Sequence, residues 1–450
     1  MPGATLSRWT MSYFATACLM LVLAEGLMAA GYGYPAASLG APETLVVVHV
    51  TVIGWLSLLM AGALLQFVPV LVARPLVGGR FAAPALLLLA GGLAALVAGF
   101  VALSGAADLP LLLLPAGGAM LLLGFCLLAA ILAATLHAAR PLPLPARFVA
   151  LGLACLLAAA LAGAAFTVVL SGLGESAPLA RLVADGVALH AALGLGGWLT
   201  VTAAGVSYRL LAMFLLSPET ERWTSRAAWW AMALAAGLVV ASLVFVLSAV
   251  SGAEMLFAAA LVLSLAAVAL YGSDVRHIYR ARKRKQAELN IRATFPAFAA
   301  LGLALVLLNI PAVRGGDGVA AAVYLFVFGW LTGLGLAQLF KIVAFLTWLE
   351  AYGPILGRAP VPRVQDLVEE RRARILFRIY YGVCAAAAVA LLAGVPGVFR
   401  GLVALQLLAT LALAREFVRI RRLAVVPVAL RAPTGMVQPH LFLPLSASRR

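Results

Sequence analysis

The chain has 450 residues, of which 65% are hydrophobic and 11% are charged, and its formal net charge is +16. The mean hydropathy of +1.09 indicates a polytopic helical membrane protein, because a soluble domain of this size cannot bury so much apolar surface. The basic residues stand in short stretches between apolar segments rather than on one face. The charge therefore indicates membrane topology, and the partner that it predicts is a lipid bilayer and not a nucleic acid.

Apolar segments long enough to cross a bilayer recur along the whole chain. The first contains Glu25 and is too long for the apolar part of a signal peptide, so it is read as a span. The sequence predicts an all-α protein with twelve transmembrane helices, at 11–33, 44–73, 81–103, 110–138, 146–171, 183–215, 227–250, 254–275, 294–312, 319–349, 377–394 and 398–417.

The distribution of basic residues predicts the orientation of these helices. Of the 32 Lys and Arg residues, all but Arg181, Arg314 and Arg400 fall in the termini, in the loops after even-numbered segments or at the nearby helix ends. Because cytoplasmic loops are enriched in Lys and Arg, both termini are expected in the cytoplasm. The predicted location is the cytoplasmic (inner) membrane, with residues 418–450 as a cytoplasmic tail.

Segment 361–376 (VPRVQDLVEERRARIL) mixes charged and apolar residues. This pattern predicts an interfacial helix, with docking of a partner as the alternative. The basic run RARKRK at 280–285 is interpreted as a determinant of topology.

An internal repeat is visible in three of the twelve segments. The second reads GWLSLLMAGALLQFVPV, the sixth GWLTVTAAGVSYRLLAMF and the tenth GWLTGLGLAQLFKIVAF. Their tryptophans, Trp55, Trp198 and Trp330, are 143 and 132 residues apart, which corresponds to four helices each time. The sequence therefore predicts a single transmembrane domain of three four-helix units, about 11–138, 146–275 and 294–417, around a pseudo-threefold axis.

Ionisable residues lie in the outer halves of the same segments. His49 and Tyr324 are each six residues before their Trp, His190 is eight before its Trp, and Glu25 lies at a similar depth on the first segment. His190 would lie on a different face of its helix from His49 and Tyr324 unless Gly194, Gly196 and Gly197 permit a bulge. Ionisable groups inside a membrane indicate function, and imidazole is a common ligand of haem iron and copper. Packing histidines bonded to a neighbouring helix are the alternative.

Polar residues near the inner ends of the three repeated segments are Gln66, Arg209 and Lys341. The two cations are expected to extend to the cytoplasmic headgroups. No nucleophile–base–acid set, phosphate-binding loop or zinc spacing is present, so no catalytic residue is predicted.

These features together resemble the catalytic subunit of haem–copper oxidases, cytochrome c oxidase subunit I and its relatives. The resemblance rests on twelve helices, the four-helix repeat and histidines on segments two and six. It implies that His49 matches a ligand of a low-spin haem and that His190 matches a ligand of copper.

The chain departs from that family at two places. The seventh segment (AAWWAMALAAGLVVASLVFVLSAV) lacks the histidine pair of the copper site, and the tenth has Tyr324 and no histidine. A full oxygen-reducing centre is therefore not expected. What remains is one haem b held by His49 with Tyr324 or His190, or copper or another metal held by His49, His190 and Glu25.

The functions compatible with such a reduced site are electron transfer, redox sensing or assembly of respiratory enzymes, with a respiratory electron-transfer partner. Two alternatives stay open: a transporter or channel for a small solute or metal ion, and a cofactor-free respiratory scaffold. Whether the chain is an enzyme is left open by its incomplete site.

Overall fold

The computed structural model describes residues 9–218, 221–310 and 316–443. Within these ranges the chain is helical and has no β-strand. The twelve predicted spanning helices are confirmed by length and apolar composition. They are α1 (Thr10–Ala29), α2 (Pro42–Val72), α3 (Gly79–Leu103), α4 (Leu113–His137), α5 (Leu144–Leu170), α6 (Val187–Leu215), α7 (Trp223–Leu247), α8 (Ala253–Arg280), α9 (Leu289–Asn309), α10 (Gly316–Ile355), α11 (Glu370–Leu392) and α12 (Pro396–Arg421).

The prediction of an interfacial helix over 361–376 is wrong. Within it only Val364–Leu367 forms a short 3₁₀ turn, and α11 already begins at Glu370. The charged residues extend the spanning helix because they find partners on neighbouring helices. Arg372 pairs with Glu416 of α12 at 3.0 Å, and Glu370 pairs with Arg292 of α9 at 3.1 Å.

The two ends of the bundle differ in charge, and the end that carries the loops after even-numbered helices is called the basic end here. Two of the three cations predicted at the opposite end bind main-chain carbonyls at or just after the end of a helix. Arg181 donates to Val246 and Leu247 at the end of α7, and Arg400 donates to Ala30, directly after α1. Such contacts satisfy carbonyls that a helix end leaves unpaired. Arg314 lies outside the described residues.

The three helices that carry the Gly-Trp repeat share a backbone irregularity. Each contains a π-helical segment around its Trp: Val50–Ser57 in α2, Ala192–Val201 in α6 and Leu325–Thr332 in α10. The bulge considered for Gly194–Gly197 is therefore present, and it recurs in all three helices. Wide turns of this kind are rare and are often found at functional sites.

The three repeated tryptophans are fully buried and join the three helices in a closed ring of hydrogen bonds. Each indole N–H donates to a hydroxyl that lies two positions after another of the tryptophans: Trp55 to Thr332 at 3.0 Å, Trp198 to Ser57 at 3.2 Å and Trp330 to Thr200 at 3.2 Å. Because every donor is on a different helix from its acceptor, the ring ties α2, α6 and α10 together at one level.

The repeated glycines bring each of these helices against the helix that precedes it by one. A Cβ at Gly54 would approach Met20 of α1 to 2.8 Å, one at Gly197 would approach Cys155 of α5 to 2.6 Å, and one at Gly329 would approach Ala300 of α9 to 2.7 Å. The small residues are needed because the helix backbones pack closely there, as in other membrane helix pairs.

The segment after α12 folds back onto the basic end. The Arg421 guanidinium, at the end of α12, donates to Glu350 Oε2 at 2.8 Å, to Thr347 Oγ1 at 3.1 Å and to the His440 carbonyl. The His440 ring in turn contacts Glu350 Oε1 at 2.8 Å. Ser12 of α1 donates to the Phe442 carbonyl at 2.5 Å. The tail therefore packs on α1, α10 and α12.

The contacts of Arg421 with Glu350, Thr347 and His440 give a testable prediction. Replacing Arg421 by alanine removes several charge-assisted hydrogen bonds from a side chain that is 4% exposed, so we expect a loss of about 1–3 kcal/mol in the free energy of unfolding. Limited proteolysis should also cut the segment after α12 faster than in the wild type. Arg422→Ala is the matched control, because Arg422 is exposed. Equal protease resistance of the two variants would contradict this account of the tail.

Candidate functional site

The predicted site residues stand where the α-helical part of each repeated helix gives way to its π-helical segment. His49 and Tyr324 directly precede the segments of α2 and α10, and His190 precedes that of α6 by two residues. All three are on the side of the tryptophan ring that faces away from the basic end. The common irregularity thus coincides with the residues that the sequence marks as chemically important.

His49 is held by its own helix. Its Nδ1 lies 2.7 Å from the carbonyl oxygen of Leu45, one turn earlier, and its ring lies 5.2 Å from the ring of Phe100 of α3. A carbonyl can only accept, so Nδ1 carries the proton and Nε2 of a neutral ring keeps its lone pair. His49 is therefore oriented as a ligand that would bind through Nε2.

His190 is in the same tautomer as His49, but the carbonyl that fixes it belongs to a neighbouring helix. Its Nδ1 lies 3.0 Å from the carbonyl oxygen of Ala159 of α5, and Phe166 packs edge-on at 5.5 Å. Gly163 makes room for the ring, since a Cβ there would lie 3.1 Å from its Cε1. Both rings thus present an unprotonated Nε2.

Glu25 and Tyr324 belong to a separate buried hydrogen-bond chain. The Tyr324 hydroxyl donates to Gln406 Oε1 at 2.7 Å, and Gln406 Nε2 donates to Glu25 Oε1 at 2.9 Å. Glu25 and Gln406 are fully buried, and the second carboxyl oxygen of Glu25 has no hydrogen-bond partner among the described residues. The chain links α1, α10 and α12. Sequence reasoning missed Gln406 because nothing in its local pattern distinguishes it.

This arrangement bears on the candidate ligand sets. Among the described residues no three or more His, Cys, Asp or Glu side chains are grouped as a metal site requires, so a copper or other metal bound by Glu25, His49 and His190 gains no support. The Tyr324 hydroxyl is engaged with Gln406 and not with a histidine. Imidazole nitrogen is a donor that haem iron accepts, so the chemistry of these two side chains fits such a group.

Lys341 does not extend to the headgroups as expected. Its ammonium lies 2.6 Å from Glu288 Oε2, and its side chain is only 13% exposed. Glu288 directly precedes α9, and Lys341 belongs to α10. The pairing removes the reason for the long side chain to reach solvent, so this lysine is part of the packing between α9 and α10.

A second buried charged group at the basic end was not predicted. Asp274 of α8 is 2% exposed and accepts hydrogen bonds from Tyr208 at 2.9 Å, Arg222 at 2.8 Å and Thr224. These partners lie on α6, just before α7 and on α7. The carboxylate is fully satisfied by donors, so its contacts indicate a structural role that holds three helices together.

Comparison with known proteins adds no family to this picture. No model of a known protein family matches the chain, and a search of curated proteins found no match. The class that the fold defines is that of polytopic helical membrane proteins, with a candidate site built on its central helices.

Proposed function

We propose that the chain is a haem–copper oxidase subunit I-like protein of the cytoplasmic membrane that holds one haem b in the half of the bilayer away from the basic end. His49 and His190 are the residues that would hold its iron. The observation that carries the proposal is the shared state of the two imidazoles, each with Nδ1 bonded to a main-chain carbonyl and Nε2 left for iron.

The proposed architecture is three four-helix units, α1–α4, α5–α8 and α9–α12, around a pseudo-threefold axis. Three independent features support it: the π-helical segments at equivalent places, the closed tryptophan ring, and the packing of the repeated glycines on α1, α5 and α9. With an even number of helices and Lys and Arg concentrated at one end, both termini are proposed to be cytoplasmic.

A haem bound at this place would supply one-electron chemistry. The residues of the chain would fix the orientation of both ligands through the Leu45 and Ala159 carbonyls, and Phe100 and Phe166 would shield them from water. Without further histidines on α7 or α10, the proposed roles are electron transfer, redox sensing or respiratory assembly with a respiratory partner, rather than oxygen reduction. The transporter alternative invoked a layer of Glu25 with the two histidines, whereas in the described residues Glu25 is bonded to Gln406.

The proposal predicts haem content that depends on His49. Protein expressed with sufficient haem should show a Soret band, and His49→Ala should weaken it because one of the two proposed iron ligands is lost. His277→Ala is the matched control, since His277 is exposed at the basic end of α8 and should leave the band unchanged. Optical spectra of the purified proteins at equal concentration measure the outcome. A wild type without Soret absorbance, or equal bands in all three proteins, would contradict the proposal.

A further inference from the structure

A groove on the outside of the bundle runs between α8 and α9 toward the basic end. Its volume is about 390 Å³, within the range of ~300–1,000 Å³ that is usual for ligand sites. On α8 its lining extends from Val268 to Tyr279, eleven residues further on. At ~1.5 Å per residue this is about 16 Å, or half of the ~30 Å hydrocarbon core of a bilayer. On α9 the groove is lined by Phe295, Phe298 and Leu301, so it lies within one leaflet.

The groove is open to the bilayer, and its apolar lining suits a hydrocarbon chain. Gly272 is exposed and Phe295 is 41% exposed, although both belong to spanning helices, so lipid reaches them. A Cβ at Gly272 would meet no atom within 4 Å, and this glycine leaves the middle of the groove empty. On the α9 side, Phe298 stacks on Trp330 at 5.3 Å and meets Tyr271 edge-on at 5.6 Å. An acyl chain in the groove would therefore contact protein on two sides.

The end of the groove nearest the basic end carries a positive charge. Arg276 is exposed, and among the described residues that line the groove it is the one charged side chain. The carboxylates that are nearest to it in the sequence already have cationic partners. Asp274 pairs with Arg222 at 2.8 Å, and Glu288 pairs with Lys341 at 2.6 Å. The guanidinium of Arg276 is therefore placed to bind an anion from outside the protein.

A second guanidinium lies beside the same end of the groove. Arg282 Nη1 donates to the Tyr279 carbonyl at 2.8 Å, and its guanidinium carbon lies 4.0 Å from the centre of the Tyr279 ring. The same ring lines the groove and meets Phe295 edge-on at 5.1 Å. Lys283 and Lys285, both exposed, follow in the basic run after α8. Tyr279 thus joins the apolar lining of the groove to a group of cations.

We propose that the groove between α8 and α9 binds one anionic phospholipid, with an acyl chain along the groove and the headgroup phosphate on Arg276 and Arg282. Guanidinium groups form charge-assisted hydrogen bonds with phosphate oxygens. Basic pockets between spanning helices at the cytoplasmic side of membrane proteins bind anionic headgroups. The acyl chain leaves one apolar medium for another, so the net charge of the headgroup decides which lipid binds. The proposal does not rest on haem.

The test is native mass spectrometry of the full-length protein in detergent, with equimolar phosphatidylglycerol and phosphatidylcholine that carry the same acyl chains. Both lipids have the phosphate, but the choline cation of the second cancels its net charge. We expect the wild type to retain phosphatidylglycerol severalfold more than phosphatidylcholine. Phosphatidylglycerol with a diazirine on one acyl chain should give adducts on the groove-lining residues of α8 and α9.

Two pairs of variants make the test specific. Arg276→Gln should lower the ratio of retained phosphatidylglycerol to phosphatidylcholine severalfold. Arg74→Gln removes the same charge from an exposed residue after α2, also at the basic end, and should leave the ratio unchanged. Gly272→Leu fills the groove and should reduce retention of phosphatidylglycerol. Gly237→Leu is its control, because Gly237 of α7 is also exposed, has the same open space and does not line the groove.

Three results would overturn the proposal. The first is equal retention of the two lipids by the wild type. The second is an equal fall of the ratio in Arg276→Gln and Arg74→Gln, which would show attraction to the whole basic end rather than to a site. The third is unchanged retention in Gly272→Leu, a variant that remains folded because its added side chain meets no neighbouring atom at Cβ.

Discussion

Replacing Trp198 by alanine should cost about 3–5 kcal/mol of unfolding free energy, because a fully buried indole is removed from the junction of the three central helices. The change also leaves the Ser57 hydroxyl without its donor and opens the ring. Thermal unfolding in detergent, followed by circular dichroism, measures the loss. Trp230→Ala is the matched control, since Trp230 is 67% exposed and should change stability little.

A second variant at the same position separates packing from hydrogen bonding. Trp198→Phe keeps an aromatic side chain but has no indole N–H. It should therefore lower the unfolding free energy by roughly 1–3 kcal/mol, as expected when a buried acceptor loses its partner. If Trp198→Ala were tolerated as well as Trp230→Ala, the tryptophan ring would not be the centre of the fold.

Replacing Gly205 by alanine should destabilise the protein by about 1–3 kcal/mol, although the change adds a single methyl group. The new Cβ would lie 2.8 Å from the Pro145 carbonyl oxygen and would collide with the Phe148 side chain of α5. The carbonyl belongs to the backbone, so α5 must shift as a whole. Gly194→Ala is the control in the same helix, because no atom lies within 4 Å of its added Cβ.

The two glycine variants should differ in sign. In helical backbone with open space, Gly→Ala restricts the unfolded chain and stabilises by about 0.4–1 kcal/mol. Unfolding midpoints measured under the same conditions test the contrast. Equal shifts for Gly205→Ala and Gly194→Ala would show that α5 and α6 do not approach each other as closely as described.

The sequence is sufficient to predict the helices and the repeated elements at the centre of the fold. Hydropathy alone located all twelve spans, because each helix must cover its polar backbone in the bilayer. The Gly-Trp pattern identified α2, α6 and α10 in advance. The hydrogen bonds of the three tryptophans to Thr332, Ser57 and Thr200 could not be predicted from the repeat, because the donor and the acceptor of each bond belong to different helices.

The environment of the candidate site could not be predicted. The contact between Gln406 and Glu25 joins residues 381 positions apart, and no local signal marks it. The sequence also does not show which main-chain carbonyls orient the two histidines, because every residue has a carbonyl. The error at 361–376 has a related cause: a charged segment resembles an interfacial helix until its partners, Glu416 and Arg292, are known to lie on the helices beside it.

Identifying the iron ligands is the most direct test of the central claim that His49 and His190 hold a haem. Electron paramagnetic resonance of the oxidised, haem-loaded protein distinguishes low-spin iron with two imidazole ligands from high-spin iron with one. We predict a low-spin spectrum for the wild type and a high-spin spectrum for His190→Ala, with a Soret band still present in that variant. A wild type that binds no haem, or a low-spin spectrum unchanged in His190→Ala, would contradict the account.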